Sequence, residues 1–476
     1  MTQTQATQKS PVYFVSLGCP KNLVDSQVML GKLESDRYSI TQNPDEAEVI
    51  IVNTCSFIQA SKEESVDTIL EMAQKKETAN CRLLVASGCM PQRYAKEMEK
   101  QLPEVDLLIG TGQYHRITEL LNERAEGSKL GGSIPRRIYV DQPAFIHSES
   151  DPRMHTGPAY TGYLKLSEGC NRRCTFCIIP TLRGDVRSRT VDSLVTEAKN
   201  MAARGIRELN LVAQDLTHYG IDSDYRENLE KLLPALCAVE GVDWIRLHYV
   251  YPDQLSDEVI DLIAREPKIV KYLDMPIQHT NDRVLKRMGR KLTKKRLFEV
   301  MGKLRDRVPG VAIRTSIIVG FPGETEEEFE ELCRDLKTLD IEYVGVFRYS
   351  REDGTAADRL DGHLHPSTRR RRWRALESQL LGRAQERAAA QVGRKTVALF
   401  EGKSEESDLL FQARLPQQAQ EIDGHVLIND LGDVEAEALS PGDLVELEIT
   451  ESLSKGLAHH LMGRVTRVAS PWRAPI

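Results

Sequence analysis

The stretch YTGYLKLSEGCNRRCTFCIIP, residues 160–180, carries an alternating strand-like run straight into three cysteines spaced CxxxCxxC. Tyr, Thr and Leu at period two predict a β-strand. Cys170, Cys174 and Cys177 then lie in a tight loop beyond its carboxyl end, a spacing that suits a compact ion or cluster. A structural zinc ion takes four protein ligands, and no fourth Cys or His follows closely. Three thiolates on a four-iron cluster leave one iron open for a substrate or cofactor.

Five further strand candidates follow: RELNLVAQD (207–215), WIRLHYVYP (244–252), KYLDMPIQH (271–279), VAIRTSIIVG (311–320) and YVGVFRYS (343–350), with amphipathic helical stretches between them. Six βα units in about 200 residues predict an open, partial barrel, with active groups gathered at the carboxyl ends of its strands. Two of those ends hold candidate contacts. LVAQD finishes a strand with Gln214 and Asp215, placed to hydrogen-bond a bound cofactor. SIIVGFPGET (316–325) puts Gly320 and Gly323 where backbone approaches a ligand closely, with Glu324 beginning a helix. The plainer reading of those glycines is turn chemistry.

Upstream, VYFVSLGC (12–19), EVIIVNTC (48–55) and RLLVASGC (82–89) each end a β-branched or apolar run in cysteine, and each precedes a helical pattern. With VDLLIGTG (105–112) they predict a small doubly wound parallel sheet, so that Cys19, Cys55 and Cys89 converge beyond the strand ends. Buried packing thiols are the bland alternative; Cys81, Cys237 and Cys333, at a strand start and within helical patterns, are read that way. Residues 127–158, rich in Gly, Pro and Ser, read as a linker holding one short strand. After a basic helix containing RRRRWR (369–374), the chain from about 395 breaks into short runs, KTVALFEG, FQARL, GHVLIND, DLVELEIT and MGRVTRV, which predict a small all-β barrel of OB-like size. From Glu401 to Lys455 it holds fourteen acids against three bases, an unfavourable surface for a polyanion and a favourable one for a basic protein.

The 476 residues, 40% hydrophobic and 28% charged, allow about three globular domains. MTQTQATQKS lacks the apolar centre of a signal peptide, and no run approaches a membrane span, so a cytoplasmic, soluble protein is expected. In a reducing compartment the nine cysteines point to metal or redox chemistry rather than disulfides.

CxxxCxxC with the adjacent Phe176, in a partial βα barrel, resembles the radical S-adenosylmethionine superfamily. The motifs SLGCPKNLVDSQ, VNTCSFI and ASGCMPQR add a resemblance to its methylthiotransferase family, over nearly the whole chain. That resemblance implies an N-terminal cluster domain at 11–126 after a disordered tail at 1–10, a radical core with trailing helix at 159–390 and a TRAM domain at 395–470. It implies two 4Fe-4S clusters, on Cys19, Cys55 and Cys89 and on Cys170, Cys174 and Cys177. S-adenosyl-L-methionine would bind the second near Phe176, Gln214, Asp215, Gly320, Gly323 and Glu324. No catalytic residue beyond the cluster cysteines is implied.

SLGCPKNLVDS, RLHYVYP, PIQH and EIDGHVLIN resemble the branch that methylthiolates the β-carbon of an aspartate of small-subunit ribosomal protein twelve, with Gln27 standing where that branch has Glu. It further implies a sulfur donor, a reductant such as flavodoxin, and a monomer meeting its substrate free or within the ribosomal subunit. A transfer-RNA (isopentenyladenosine) methylthiotransferase is the alternative within the family; a non-catalytic iron-sulfur scaffold is the alternative outside it. The basic run is expected to be an exposed helix face, solvated or paired with the acidic β-domain, or else to meet ribosomal RNA.

Overall fold

The computed structural model describes residues 9–129, 137–453 and 456–472. Most of the expected tail, residues 1–8, lies outside them, as does the Gly-rich start of the expected linker, 130–136.

Strands β1 (Ser10–Ser16), β2 (Tyr38–Ile40), β3 (Val49–Thr54), β4 (Leu83–Gly88), β5 (Leu107–Gly110) and β6 (Ile138–Tyr139) form one parallel sheet in the order β2-β1-β3-β4-β5-β6. Strand alternation gives it two apolar faces. Ile51, Val85 and Leu107 meet Val28, Met29 and Leu33 of the helix Pro20–Glu34 on one face; Ile50, Val52 and Leu84 meet Ile69 and Met72 of the helix Gln59–Ala73 on the other. The described part of the linker segment is a strap. β6 extends the sheet, Lys32 pairs with Asp151 at 2.8 Å, and the Met154 N–H donates to Gln27 O at 3.0 Å. Gln27 accepts from Arg153 (2.9 Å) while its amide donates to Thr156 O (3.1 Å), a double role that a glutamate could not fill.

After β7 (Thr161–Lys165), the short strands β8 (Ser167–Glu168) and β9 (Arg187–Ser188) pair with each other and brace the cysteine loop. β10 (Glu208–Val212), β11 (Trp244–Leu247), β12 (Ile269–Asp274), β13 (Ala312–Val319) and β14 (Tyr343–Arg348) continue from β7 as six sequential parallel strands, open between β14 and β7. The partial barrel predicted from the six runs is present, with its helices packed outside on a continuous apolar core.

β15 (Lys395–Ser404), β16 (Ser407–Arg414), β17 (Val426–Asp430), β18 (Leu444–Ser452) and β19 (Leu461–Ser470) close into the small barrel. It caps the amino ends of the central strands: Tyr160, Trp244, Val270, Ala312 and Tyr343, all at or beside strand starts, pack with Leu399 and Ala419. Buried Arg414 reaches Glu208 at 2.9 Å, and Tyr272 Oη donates to Asp423 at 2.7 Å.

The helix Pro366–Ala389 differs from the exposed, basic helix expected. Arg372, Leu376, Leu380, Ala384 and Ala388 recur every four residues and are buried, a stripe masked in the sequence by the seven arginines of the helix, Arg372 itself among them. Two arginines of the run pair with the central barrel and not with the acidic module: Arg371 and Arg372 hold Glu326 at 2.7 and 3.0 Å, and Arg372 holds Glu324 at 2.5 Å, while Arg370 and Arg374 are exposed. Trp373 Nε1 donates to Val346 O at 3.0 Å, and its half-buried ring packs against the barrel core.

Candidate active site

Because β1, β3 and β4 are neighbours, the residues just past their ends meet. Cys19 caps the helix Pro20–Glu34, Cys55 follows β3, and Cys89 opens the helix Cys89–Gln101. Gly18 turns the chain at φ +91°, and a Cβ there would lie 2.8 Å from Cys55 Cβ, so only glycine brings Cys19 this close to Cys55. Ser56 Oγ donates to Cys89 O at 3.0 Å, tying the other two corners. Burial pushes the Cys89 thiol up to about 12, the neighbouring Arg183 opposing and Cys55 and Cys19 adding to the rise.

The second set is built beyond β7. Gly169, at φ +83°, has Asp185 O 2.1 Å from where its Cβ would be, and the Cys170 N–H donates to Gly184 O at 3.0 Å. The Cys177 N–H donates to Cys174 O at 3.1 Å, and Thr175 anchors the loop to Met288 O (2.9 Å) and Arg287 O (2.8 Å). Burial raises Cys170 to about 11. The two sets face each other: Cys89 packs against Ile178, the residue after Cys177, and Leu182, while Arg183 Nη2 lies 3.8 Å from Cys89 Sγ.

Around this contact lies a four-charge network that the sequence reading missed. Lys165 donates to Asp25 (2.5 Å) and Glu168 (2.7 Å); Arg183 donates to Asp25 (2.6 Å), Glu168 (3.0 Å) and Asn22 Oδ1 (3.2 Å). All four charged groups are buried. Asp25 belongs to the N-terminal sheet unit and the others to the barrel, so the network spans the boundary. Its sequence signal was present in LKLSEGC, where a lysine and a glutamate interrupt a buried strand.

The expected cofactor contacts divide. Gln214 donates to Glu168 Oε1 at 2.7 Å, and its buried Oε1 has no partner among the described residues. Asp215 is engaged: it accepts from Arg172 (2.8 Å) and from the Thr217 N–H (2.9 Å). Phe176 packs edge-on to Phe321, ring centroids 6.4 Å apart. Arg369 lies beside Gly320 and Arg287 beside Gly323, on the side where a Cβ would stand. Glu324 accepts from the Gly320 N–H (2.9 Å) and Arg372; burial raises it to about 7 despite that arginine. Below the cysteines the barrel interior is polar, with His248 Nε2 3.1 Å from Asn210 Oδ1 and Arg314 between Asp274 (3.4 Å) and Asp423 (3.3 Å).

Among the described residues no three His, Cys, Asp or Glu side chains converge tightly enough for a single metal ion. A four-iron cluster binds each thiolate to a different iron and asks for a wider triangle. The donor chemistry fits it: each set offers three soft ligands on glycine-shaped, backbone-anchored loops, and burial holds Cys55, Cys89, Cys170 and Cys177 against ionisation until a cation compensates.

Residues 164–336 match the family model described as the radical SAM superfamily, and residues 11–110 match the one described as uncharacterized protein family UPF0004. The ribosomal protein uS12 methylthiotransferase RimO of Geobacter sulfurreducens is 46% identical over 450 residues, covering 93% of this chain and 97% of the relative. The protein of that name from Anaeromyxobacter sp. (strain Fw109-5) is 47% identical over 468 residues, covering 98% and 96%. Among solved structures, the radical S-adenosylmethionine methyltransferase TsrM of Kitasatospora setae, with cobalamin and a [4Fe-4S] cluster bound, superposes with a TM-score of 0.54 at 15% identity, covering 73% of this chain and 77% of that one.

Proposed function

The chain belongs to the uS12 methylthiotransferase family of radical S-adenosylmethionine enzymes, and from that premise we propose that it transfers a methylthio group to the β-carbon of an aspartate of ribosomal protein uS12. The observation that carries the reading is the packing of Cys89 against Ile178 and Leu182, which sets the two cysteine triads against one another. Cys170, Cys174 and Cys177 would hold one 4Fe-4S cluster, and Cys19, Cys55 and Cys89 the other. Bound there, the clusters and S-adenosylmethionine supply one-electron cleavage of the cofactor and a carrier for sulfur. The protein's own part is placement. Gly18 and Gly169 shape the loops, the Asp25–Lys165–Glu168–Arg183 network fixes the facing sheets, and the capped barrel leaves its carboxyl end as the approach to the reacting carbon.

The charge of the small barrel supports a protein substrate over transfer RNA, since an acidic module loses the phosphate attraction on which RNA binding depends. That module closes the end of the barrel away from the cysteines, so its field acts on the substrate as a whole and not on the reacting atom. Among the described residues no helix is long and apolar enough to cross a membrane. We place the enzyme in the cytoplasm with its ribosomal substrate, fed by a separate reductant and sulfur donor. The test is iron and sulfide content after anaerobic reconstitution. About eight irons per chain, falling to about four in a Cys170/Cys174/Cys177 triple alanine variant, is the expected result. Methylthiolation should then be found by mass spectrometry on uS12 and not on transfer RNA. About four irons in the wild type, or modified RNA, would overturn the reading.

A further inference from the structure

Among the described residues nine lysine and arginine side chains are buried, and seven of them have a carboxylate within 4.0 Å. The two without one are Lys21 and Arg290. A buried cation without a carboxylate is costly unless other groups offset it; the Tyr249 ring and the Cys19 thiol lie beside Lys21, the Tyr251 ring and the Cys177 thiol beside Arg290, and each cation is left able to meet an incoming anion.

Both lie at the cysteines, on opposite sides. Arg290 donates to Pro276 O at 2.6 Å and stacks 4.0 Å from the Tyr251 ring centre, on the side of the radical loop. Lys21 comes from the other domain. It stands in the first turn of the helix capped by Cys19, and its Nζ reaches over the barrel mouth to sit 3.5 Å from the centre of the Tyr249 ring. Tyr249 follows β11 by two residues and holds φ +63°, a left-handed conformation that is costly for an aromatic residue and is retained where the surroundings enforce it. A strained ring and a buried ammonium whose partner is that ring and not a carboxylate thus meet at the carboxyl end of the barrel, beside Cys19. The nearby cation Arg183 is already saturated by Asp25 and Glu168.

We propose that Lys21 binds the side-chain carboxylate of the substrate aspartate, with the Tyr249 ring as the wall that aims the ammonium. This rests on the substrate reading above and adds the residue that recognises it. An ammonium here would select a carboxylate over a carboxamide, and would hold the β-carbon beside both triads.

The test is a binding cycle on the anaerobically reconstituted enzyme. Wild type, Lys21→Met and Lys21→Arg are titrated by fluorescence anisotropy with a uS12 peptide carrying the target aspartate and with its asparagine version. Wild type should prefer the aspartate peptide about ten- to a hundredfold. Lys21→Met should abolish that preference while keeping wild-type iron content and substrate-free S-adenosylmethionine cleavage. Lys21→Arg should keep part of the preference. Equal weakening of both peptides, or loss of iron in Lys21→Met, would overturn the proposal and make Lys21 a support of the Cys19 site. A wild-type enzyme that modifies neither uS12 nor the peptide would instead bring down the substrate reading, and this proposal with it.

Discussion

Replacing Asp25 by Asn removes one of two negative charges from a buried set of four and leaves Lys165 and Arg183 facing Glu168 alone. Asp25 accepts from both cations, at 2.5 and 2.6 Å, and is 3% exposed, so solvent cannot take its place. Breaking a buried pair in this way costs about 3–5 kcal/mol. For a cooperative unit of 150–250 residues that corresponds to a fall in Tm of about 6–20 °C. Removing a cation as well, in Asp25→Asn/Lys165→Met, restores neutrality around Glu168 and Arg183 and should recover part of the loss. Burial is the largest influence on Glu168 and works against its charge, but Arg183 and Lys165 together hold its carboxyl well below the usual range. Its stabilising contribution is therefore fully present above about pH 4.3 and lost as pH falls below that. The assay is anaerobic thermal unfolding of wild type, both variants and Asp257→Asn, whose exposed pair with Lys303 at 2.9 Å makes it a control expected to change nothing measurable. An Asp25→Asn enzyme melting within about 2 °C of wild type, or a double variant worse than the single, would refute the claim that the network is desolvated and charge-balanced.

Two further outcomes follow from other buried charges. Arg414→Met deprives Glu208 of the hydrogen bonds at 2.9 and 2.5 Å that seat the small barrel on the central strands; limited proteolysis should release a C-terminal fragment from the variant sooner than from wild type, and equal release would show the seat to be apolar. Glu324 is raised from its ordinary 4.5 to about 7, so the folded state holds its proton more tightly than the unfolded one, and stability falls as pH rises between those values. Over that window the loss is on the order of 3 kcal/mol, and Glu324→Gln should melt with a correspondingly flatter pH dependence; a slope equal to wild type would assign the effect to another group.

Short apolar runs made much of this architecture readable. The six runs of the partial barrel and the three Cys-ended runs of the first sheet are strands because brief β-branched and apolar stretches between turn residues leave little else to form, and β3 and β4 among the Cys-ended runs are buried on both faces of a parallel sheet. Edge strand β2 escaped notice, since Tyr38–Ile40 is too short for a period. The helix Pro366–Ala389 misled for a different reason: arginine carries its charge on a long apolar stem, so Arg372 is buried against Phe329 while reading as a surface residue. The position of each cysteine just past a strand end was legible from the sequence, because short loops leave few places for a thiol to go. Gly320, Gly323 and Asp215 have neighbours the sequence did not suggest, Arg369, Arg287 and Arg172, because a glycine turn and a strand-end acid carry no mark of which distant side chain packs on them. Lys21, Asp25 and Arg183 went unread because their meaning lies in a meeting of the first helix with segments more than 100 residues downstream, Asp25 with Lys165 and Asn22 with Arg183 among them.

The nature of that meeting bears on how the site works. The apolar contact joining the two triads is small, Cys89 with Ile178 and Leu182, and a patch of that size permits sliding. Hydrogen bonds between charged groups do not, because each has a direction and a length. Asp25 is held by two donors from different strand-end segments, Lys165 at the end of β7 and Arg183 beyond the cysteine loop, and Asn22, three residues earlier on the same helix, takes a second arm of Arg183. One turn of the Cys19 helix is thereby fixed in translation and rotation against the loop of Cys170, Cys174 and Cys177. A reaction that passes a group from one triad's site to a carbon activated at the other's depends on that alignment, and less on how tightly the two domains adhere. On the proposed function, the buried charges would therefore define the distance between the two halves of the chemistry, at a cost in stability that well-packed apolar side chains would avoid.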